Sequence, residues 1–166
     1  MPILLSIPVL AFVLMLQTII ISTLPLLSGY ADLVLLVLVA WALQERAHSA
    51  WFWAALGGIM VSFVSAAPLG IPLVGYLVVT ALARLFRRRV WQNPILSMFF
   101  VTFLGSLITQ GLILGALIFQ GTSLPVNDSI NLVIMPSTLL NLLLALPVYA
   151  TVADLAQLVY PEEVEV

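Results

Sequence analysis

From Ile3 to Leu27 the chain carries no charged residue, and from Ala50 to Leu82 it again carries none. Uncharged runs of this length strongly restrict where a chain can fold, because a helix needs about 20 mostly apolar residues to cross the ~30 Å hydrocarbon core of a bilayer. Composition points the same way. Of 166 residues, 63% are apolar and 7% charged, against ~45–50% and ~25% in soluble globular proteins. So few charges cannot furnish a water-facing shell, which excludes an ordinary soluble enzyme, a nucleic-acid binder and a disordered tail. The length is that of roughly one domain. The class that remains is a small polytopic membrane protein.

Membrane strands alternate apolar and polar residues in segments of about ten, whereas these runs are apolar on every face. In lipid each backbone N–H and C=O needs an internal partner, which a helix supplies within one segment. The notch Ser28-Gly29-Tyr30 ends the first run, and Gln44-Glu45-Arg46-Ala47-His48 ends the second. The uncharged stretch from Ala50 is too long for one upright span, and Pro68, Gly70 and Pro72 favour a tight turn within it. The reading is a single bundle, 1–166, of six transmembrane helices over about 3–27, 29–45, 50–66, 69–86, 94–119 and 130–158. The second is short for a crossing and would draw on Ser28–Tyr30 and Gln44 at its ends, or cross a locally thin bilayer. The first lacks a basic start and an A-x-A-like cleavage site, so a retained helix is expected rather than a cleaved signal.

With six spans, Arg46 and His48 fall in the second-to-third connection, and Arg84, Arg87, Arg88 and Arg89 in the fourth-to-fifth. The other three connections hold no Lys or Arg. All five positive charges then lie on one side, which the positive-inside rule makes cytoplasmic, with both termini inside. Trp41 and Trp51 flank the first basic loop and Trp91 follows the arginine cluster, where interfacial rings are expected. The arginines can contact lipid headgroups or a cytoplasmic acidic partner, or simply anchor the fourth helix. The acidic tail Glu162, Glu163 and Glu165 lies on the same side.

No hydrolase, kinase, phosphate-loop or zinc motif is present, and one His with no Cys leaves no transition-metal set; no cofactor is expected. Asp32 is either a proton or cation ligand within the membrane or a carboxylate at the outer water interface, at the N-terminus of the second helix. No intramembrane Lys or Arg is available to pair with it. Gly58-x-x-x-Ser62 and Gly111-x-x-x-Gly115 are small-residue faces that permit close helix approach, continued on the fifth helix by Gly105, Ser106 and Thr109. Gln110 and Asn141 are deep amides expected to hydrogen-bond across helices. These faces serve either packing within the bundle or a partner's transmembrane helix. Pro136 and Pro147 interrupt the last span and favour kinks.

The order of these segments resembles the rod shape-determining protein MreD family over most of the chain. Ala31-Asp32-Leu33 is similar to a "P-D-L" start of that family's second helix. Gly58 through Ser62 and Ser65 to Pro68-Leu69-Gly70 resemble its "G-x-x-x-D-x-x-S-x-x-P-L-G" signature. A basic stretch follows the fourth helix, and Pro136-Ser137-Thr138-Leu139-Leu140-Asn141 resembles its "P-S-x-x-x-N" segment. Ser62 and Gln110 stand where family members often carry acids, and Ala31 stands where proline is usual. If those acids only hydrogen-bond between helices, Ser62 and Gln110 can replace them. The resemblance implies a non-enzymatic scaffold of the cell-elongation machinery in the bacterial inner membrane. It implies a bitopic MreC-like partner, with the actin-like MreB and the elongation peptidoglycan synthases as complex members. It also implies a fold similar to the substrate-binding subunit of energy-coupling-factor transporters.

Two rivals stand against a scaffold. A vitamin-type transporter subunit would couple through an Ala-x-x-x-Ala pair on the first helix, which here offers only Ala11, and a tight ligand pocket would need more polar and aromatic groups than the external loops carry. An intramembrane enzyme would need a nucleophile with a base or a metal set, and His48 alone supplies neither. No small-molecule substrate and no nucleic acid are therefore expected. The topology is checked by cysteine accessibility in cells: Arg46→Cys and Val90→Cys should be protected from impermeant external reagents and Ser123→Cys should react, whereas the reverse pattern would invert the orientation.

Overall fold

The computed structural model describes residues 2–23, 29–45, 47–89, 93–123 and 125–160, except for the side chains of 2, 20–23, 88 and 89. These residues form helices and connecting turns. In chain order they are α1 (Pro2–Thr23), α2 (Leu33–Leu43), α3 (Ala50–Val64), α4 (Ile71–Arg89), α5 (Pro94–Phe119), the short α6 (Val126–Asp128), a π-helical segment (Ser129–Ile134) and α7 (Met135–Val159). The last three run on as one helix of 34 residues, Val126–Val159. That helix and α5 are long and apolar enough to cross a membrane. Only 33% of the most apolar stretch of α5 and 22% of that of Val126–Val159 is buried, so neither is the enclosed core helix of a soluble protein. Phe63, Leu69, Phe119, Leu143 and Leu158 are among the large apolar side chains on the outside.

All eleven residues of α2 are buried. The helix is the axis of the bundle: α1, α3, α4, α5 and α7 each touch it, and neighbours in the order α1–α3–α4–α5–α7 touch one another. This accounts for a helix that is apolar on every face yet short. At 1.5 Å per residue it extends about 16 Å, little more than half a hydrocarbon core, and it is enclosed by protein over its whole length. Its observed start at Leu33 and end at Leu43 replace the 29–45 span expected from the sequence, because Gly29–Asp32 form a non-helical lead-in. Trp41 also departs from expectation. It is fully buried and stacks on Trp53 with ring centroids 4.3 Å apart, so it is a core residue and not an interfacial anchor. Trp51 is 43% exposed. Arg46, Trp91, residues 24–28 and the acidic tail lie outside the described residues.

The connection between α3 and α4 turns at Pro68–Gly70, where Gly70 has φ +87° and Ile71 N–H donates to the Pro68 carbonyl at 3.1 Å. At the start of α7, Met135 N–H reaches back five residues to the Ile130 carbonyl. The wider π register ends where Pro136 enters, and a proline that lacks an N–H and crowds the preceding turn is accommodated there without breaking the helix. Pro147 lies inside α7.

Close packing of α3, α4 and α5 depends on missing side chains. A Cβ at Gly58 would fall 2.5 Å from the Leu73 Cα, one at Gly75 2.9 Å from Thr109 Cγ2, and one at Gly105 2.8 Å from Val79 Cγ1. Gly111 and Gly115 differ: among the described residues a Cβ at either meets nothing within 4 Å, so no described residue packs on the fifth-helix small-residue face beyond Gln110. It points outward. Gly58→Ala should therefore lower stability by about 1–3 kcal/mol through overpacking against backbone, while Gly111→Ala should be neutral or stabilising by up to about 1 kcal/mol; thermal unfolding of the two variants in mild detergent measures the difference.

Candidate functional site

The first turn of any helix leaves four backbone N–H groups without intrahelical partners, and inside an apolar bundle each must be satisfied locally or is costly. The N-terminus of α2 lies in such a place. Asp32 is its N-cap, and the Asp32 carboxylate accepts the Leu35 N–H at 3.0 Å. Gln17 of α1 accepts the Val34 N–H through Oε1 at 3.1 Å. Just upstream, the Asp32 N–H donates to Asn141 Oδ1 at 2.8 Å and the Tyr30 N–H donates to Ser137 Oγ at 3.0 Å. Asn141 in turn donates from Nδ2 to Ser106 Oγ on α5 at 2.8 Å.

The carboxylate is held from a second direction. The Tyr76 hydroxyl, on α4, lies 2.8 Å from Asp32 Oδ1 and 2.9 Å from Oδ2. Gln110 of α5 is buried and lies near the Tyr30 phenol. Side chains from α1, α4, α5 and α7 thus converge on the lead-in to α2. Gly29 lets that lead-in lie against α7, since a Cβ there would stand 2.6 Å from the Pro136 Cβ and 2.9 Å from the Ser137 nitrogen.

Above this junction is a cavity of about 580 Å³. Because α2, at 11 residues, is shorter than each long helix around it, no helix among the described residues occupies the bundle axis beyond Asp32, and α1, α3, α4 and α5 line the space there. The lining is mostly apolar, from side chains such as Leu14, Val61 and Ile113, with Gln17, Asp32 and Tyr76 among its polar members.

The residues singled out from the sequence separate into four groups. Asp32, Gln110 and Asn141 belong to the junction. Asp32 stands at the start of α2 and is buried within the bundle at 8% exposure. Gly58 faces Leu73, and the Ser62 hydroxyl donates to the Gly58 carbonyl of its own helix at 2.7 Å, so it builds no bridge to another helix; Gly105 packs on Val79. Ser65 is at the cavity rim, where its hydroxyl accepts the Ala67 N–H at 3.1 Å, and Pro68, Leu69 and Gly70 make the turn beside it. Gly111 and Gly115 are alone on the outer surface.

The arginines are at the opposite end of α2. Arg84 donates to the Ala47 carbonyl, and Arg87 donates to the Gln44 and Glu45 carbonyls at 2.8 and 3.1 Å. Their guanidinium groups thus tie α4 to backbone carbonyls of the α2–α3 loop. The side chains of Arg88 and Arg89 lie outside the described residues. Sequence reasoning missed Gln17, Tyr76 and Gly75. A glutamine and a tyrosine inside uncharged runs were the available signal, because polar groups at that depth need partners, and Tyr76 is the donor that a search for Lys or Arg near Asp32 passes over.

Among the described residues no group of three His, Cys, Asp or Glu could hold a metal ion. An all-helical bundle with an apolar exterior and two helices long and apolar enough to cross a membrane is compatible with a membrane protein. The family model for rod shape-determining protein MreD matches residues 1–159, and the chain belongs to that family, whose role is in determining rod shape. No curated protein and no solved structure matches the chain. The transporter alternative finds no support in these comparisons.

Removing the Asn141 amide should unfasten the junction: Asn141→Leu leaves the Asp32 N–H and Ser106 without their partners and should cost about 1–3 kcal/mol. At position 32, Asp32→Asn retains a capping oxygen and should be milder than Asp32→Ala, which removes it. Unfolding midpoints of the three variants in detergent check the ranking.

Proposed function

We propose that the chain acts as a non-enzymatic membrane scaffold of the bacterial cell-elongation machinery, crossing the inner membrane six times with both termini in the cytoplasm. In this reading it binds a bitopic MreC-like partner through that partner's transmembrane helix and helps to position the elongation peptidoglycan synthases, with MreB on the cytoplasmic side. Family membership supports the setting. The observation that carries the partner-binding reading is the outer face of α5. Gly58, Gly75 and Gly105 each have a neighbour in the space a Cβ would take, whereas Gly111 and Gly115, four residues apart on an exposed face, have none. Small residues at this spacing let a second helix approach closely and gain van der Waals contact, the main source of helix association where lipid removes the hydrophobic driving force.

The arginine-capped loop supports the orientation. Arg84 and Arg87 lie at the same end of the bundle as the α2–α3 connection, so the positive charges described there share one side, as a cytoplasmic face requires. Co-expression with an MreC-like protein and affinity purification in mild detergent is the test. Gly111→Leu and Gly115→Leu should leave the melting temperature of the isolated protein unchanged while reducing co-purified partner about tenfold or more, as loss of close helix contact predicts. Undiminished partner recovery from both variants would remove α5 from the interface.

A further inference from the structure

We propose that the cavity above α2 binds an amphiphile carrying an ammonium group, its cation at Asp32 and its apolar tail along α1, α3 and α5. This site is separate from the outer face of α5 and does not depend on the partner assignment. At about 580 Å³ the cavity falls in the range of small-molecule pockets, ~300–1,000 Å³. It is lined mainly by aliphatic side chains, and Asp32 is the one acid among its lining residues, with no Lys, Arg or His beside it.

Asp32 sits at the N-terminal end of α2 and accepts from the Leu35 N–H and the Tyr76 hydroxyl, an arrangement of donors and helix dipole that suits an anion. Oδ1 takes two of these contacts, whereas Oδ2 takes only a share of the Tyr76 hydroxyl. A carboxylate oxygen can accept more than that, so the carboxylate of this cavity-lining residue retains acceptor capacity. Tyr30 and Tyr76 place aromatic rings in the same wall, and ring faces attract cations, most strongly where water is scarce. An anion in a largely apolar pocket with no counter-charge among the described lining residues selects a cation, and the aliphatic remainder selects a tail.

Both a phosphatidylethanolamine headgroup and a free long-chain amine offer this chemistry. The full-length protein in a non-ionic detergent is titrated with dodecylammonium, dodecanol or dodecanoate below their micellar concentrations, and thermal stability is followed. Dodecylammonium should raise the midpoint selectively, and Asp32→Asn, which keeps a capping oxygen, should weaken that response about tenfold or more, as expected for loss of a charge-assisted contact. Ile113→Trp, which fills the cavity from α5, should abolish it and provides the test should Asp32→Asn fail to fold. Reconstitution with phosphatidylethanolamine or phosphatidylglycerol, followed by native mass spectrometry, separates the sources. Retention of phosphatidylethanolamine lost on mutation assigns a lipid, and a dodecylammonium response without lipid retention assigns a free amine. An equal response to all three probes, or an ammonium preference unchanged in the variants, overturns the proposal.

Discussion

The half-length helix at the centre of the bundle can exist only because its N-terminal amides are satisfied from outside the helix. In water those groups would hydrate; between apolar helices they cannot. Asp32 caps one from within the segment, and Gln17 takes another from α1. Asn141 holds the strand that leads in and fastens itself to Ser106 of α5. Tyr76 then fixes the capping carboxylate from α4. Helix placement follows from this arrangement: α1 and α7 present polar atoms to one short stretch of backbone, α4 holds its capping carboxylate and α5 holds Asn141, so none can slide or rotate without leaving a buried group unpaired. The opposite end of α2 is held by the guanidinium groups of Arg84 and Arg87 on loop carbonyls. An acid at the start and cations at the end match the direction of the helix dipole.

Between these polar ends, shape is the remaining determinant. Burial against lipid-like surroundings gives helices little reason to prefer protein over lipid, so close approach matters more than apolar area. Gly58, Gly75 and Gly105 draw α3, α4 and α5 together, while larger apolar side chains such as Phe63 and Leu143 face outward. Gly111 and Gly115 continue the small-residue pattern where no described residue stands against it.

The sequence reveals helix existence well, because long uncharged runs have few alternatives to helices. It reveals helix depth poorly. The second span, 29–45, read as short for a crossing, since a lipid-facing residue and a protein-facing one in a membrane bundle are equally apolar; only the fold shows that α2 is enclosed on all sides. Asp32 was legible as an unusual acid, yet its meaning depends on Tyr76, 44 positions away, and on Asn141, 109 positions from it. Arg84 and Arg87 were legible as charge, and their turn towards the α2–α3 loop was not, because backbone carbonyls leave no mark on composition. Spacing alone gave Gly58-x-x-x-Ser62 and Gly111-x-x-x-Gly115 equal standing, while Gly75, which has no small residue four positions on, went unmarked despite its contact with Thr109.

The stack of Trp41 on Trp53, with centroids 4.3 Å apart and planes inclined by 14°, has an optical consequence. Two indoles this close and this nearly parallel couple their electronic transitions, so the pair absorbs and emits differently from two isolated rings. One ring belongs to the axial helix and the other to α3, and the coupling survives only while those helices remain seated together. The molecule therefore carries an intrinsic spectroscopic signature of its assembled core, readable without any introduced label.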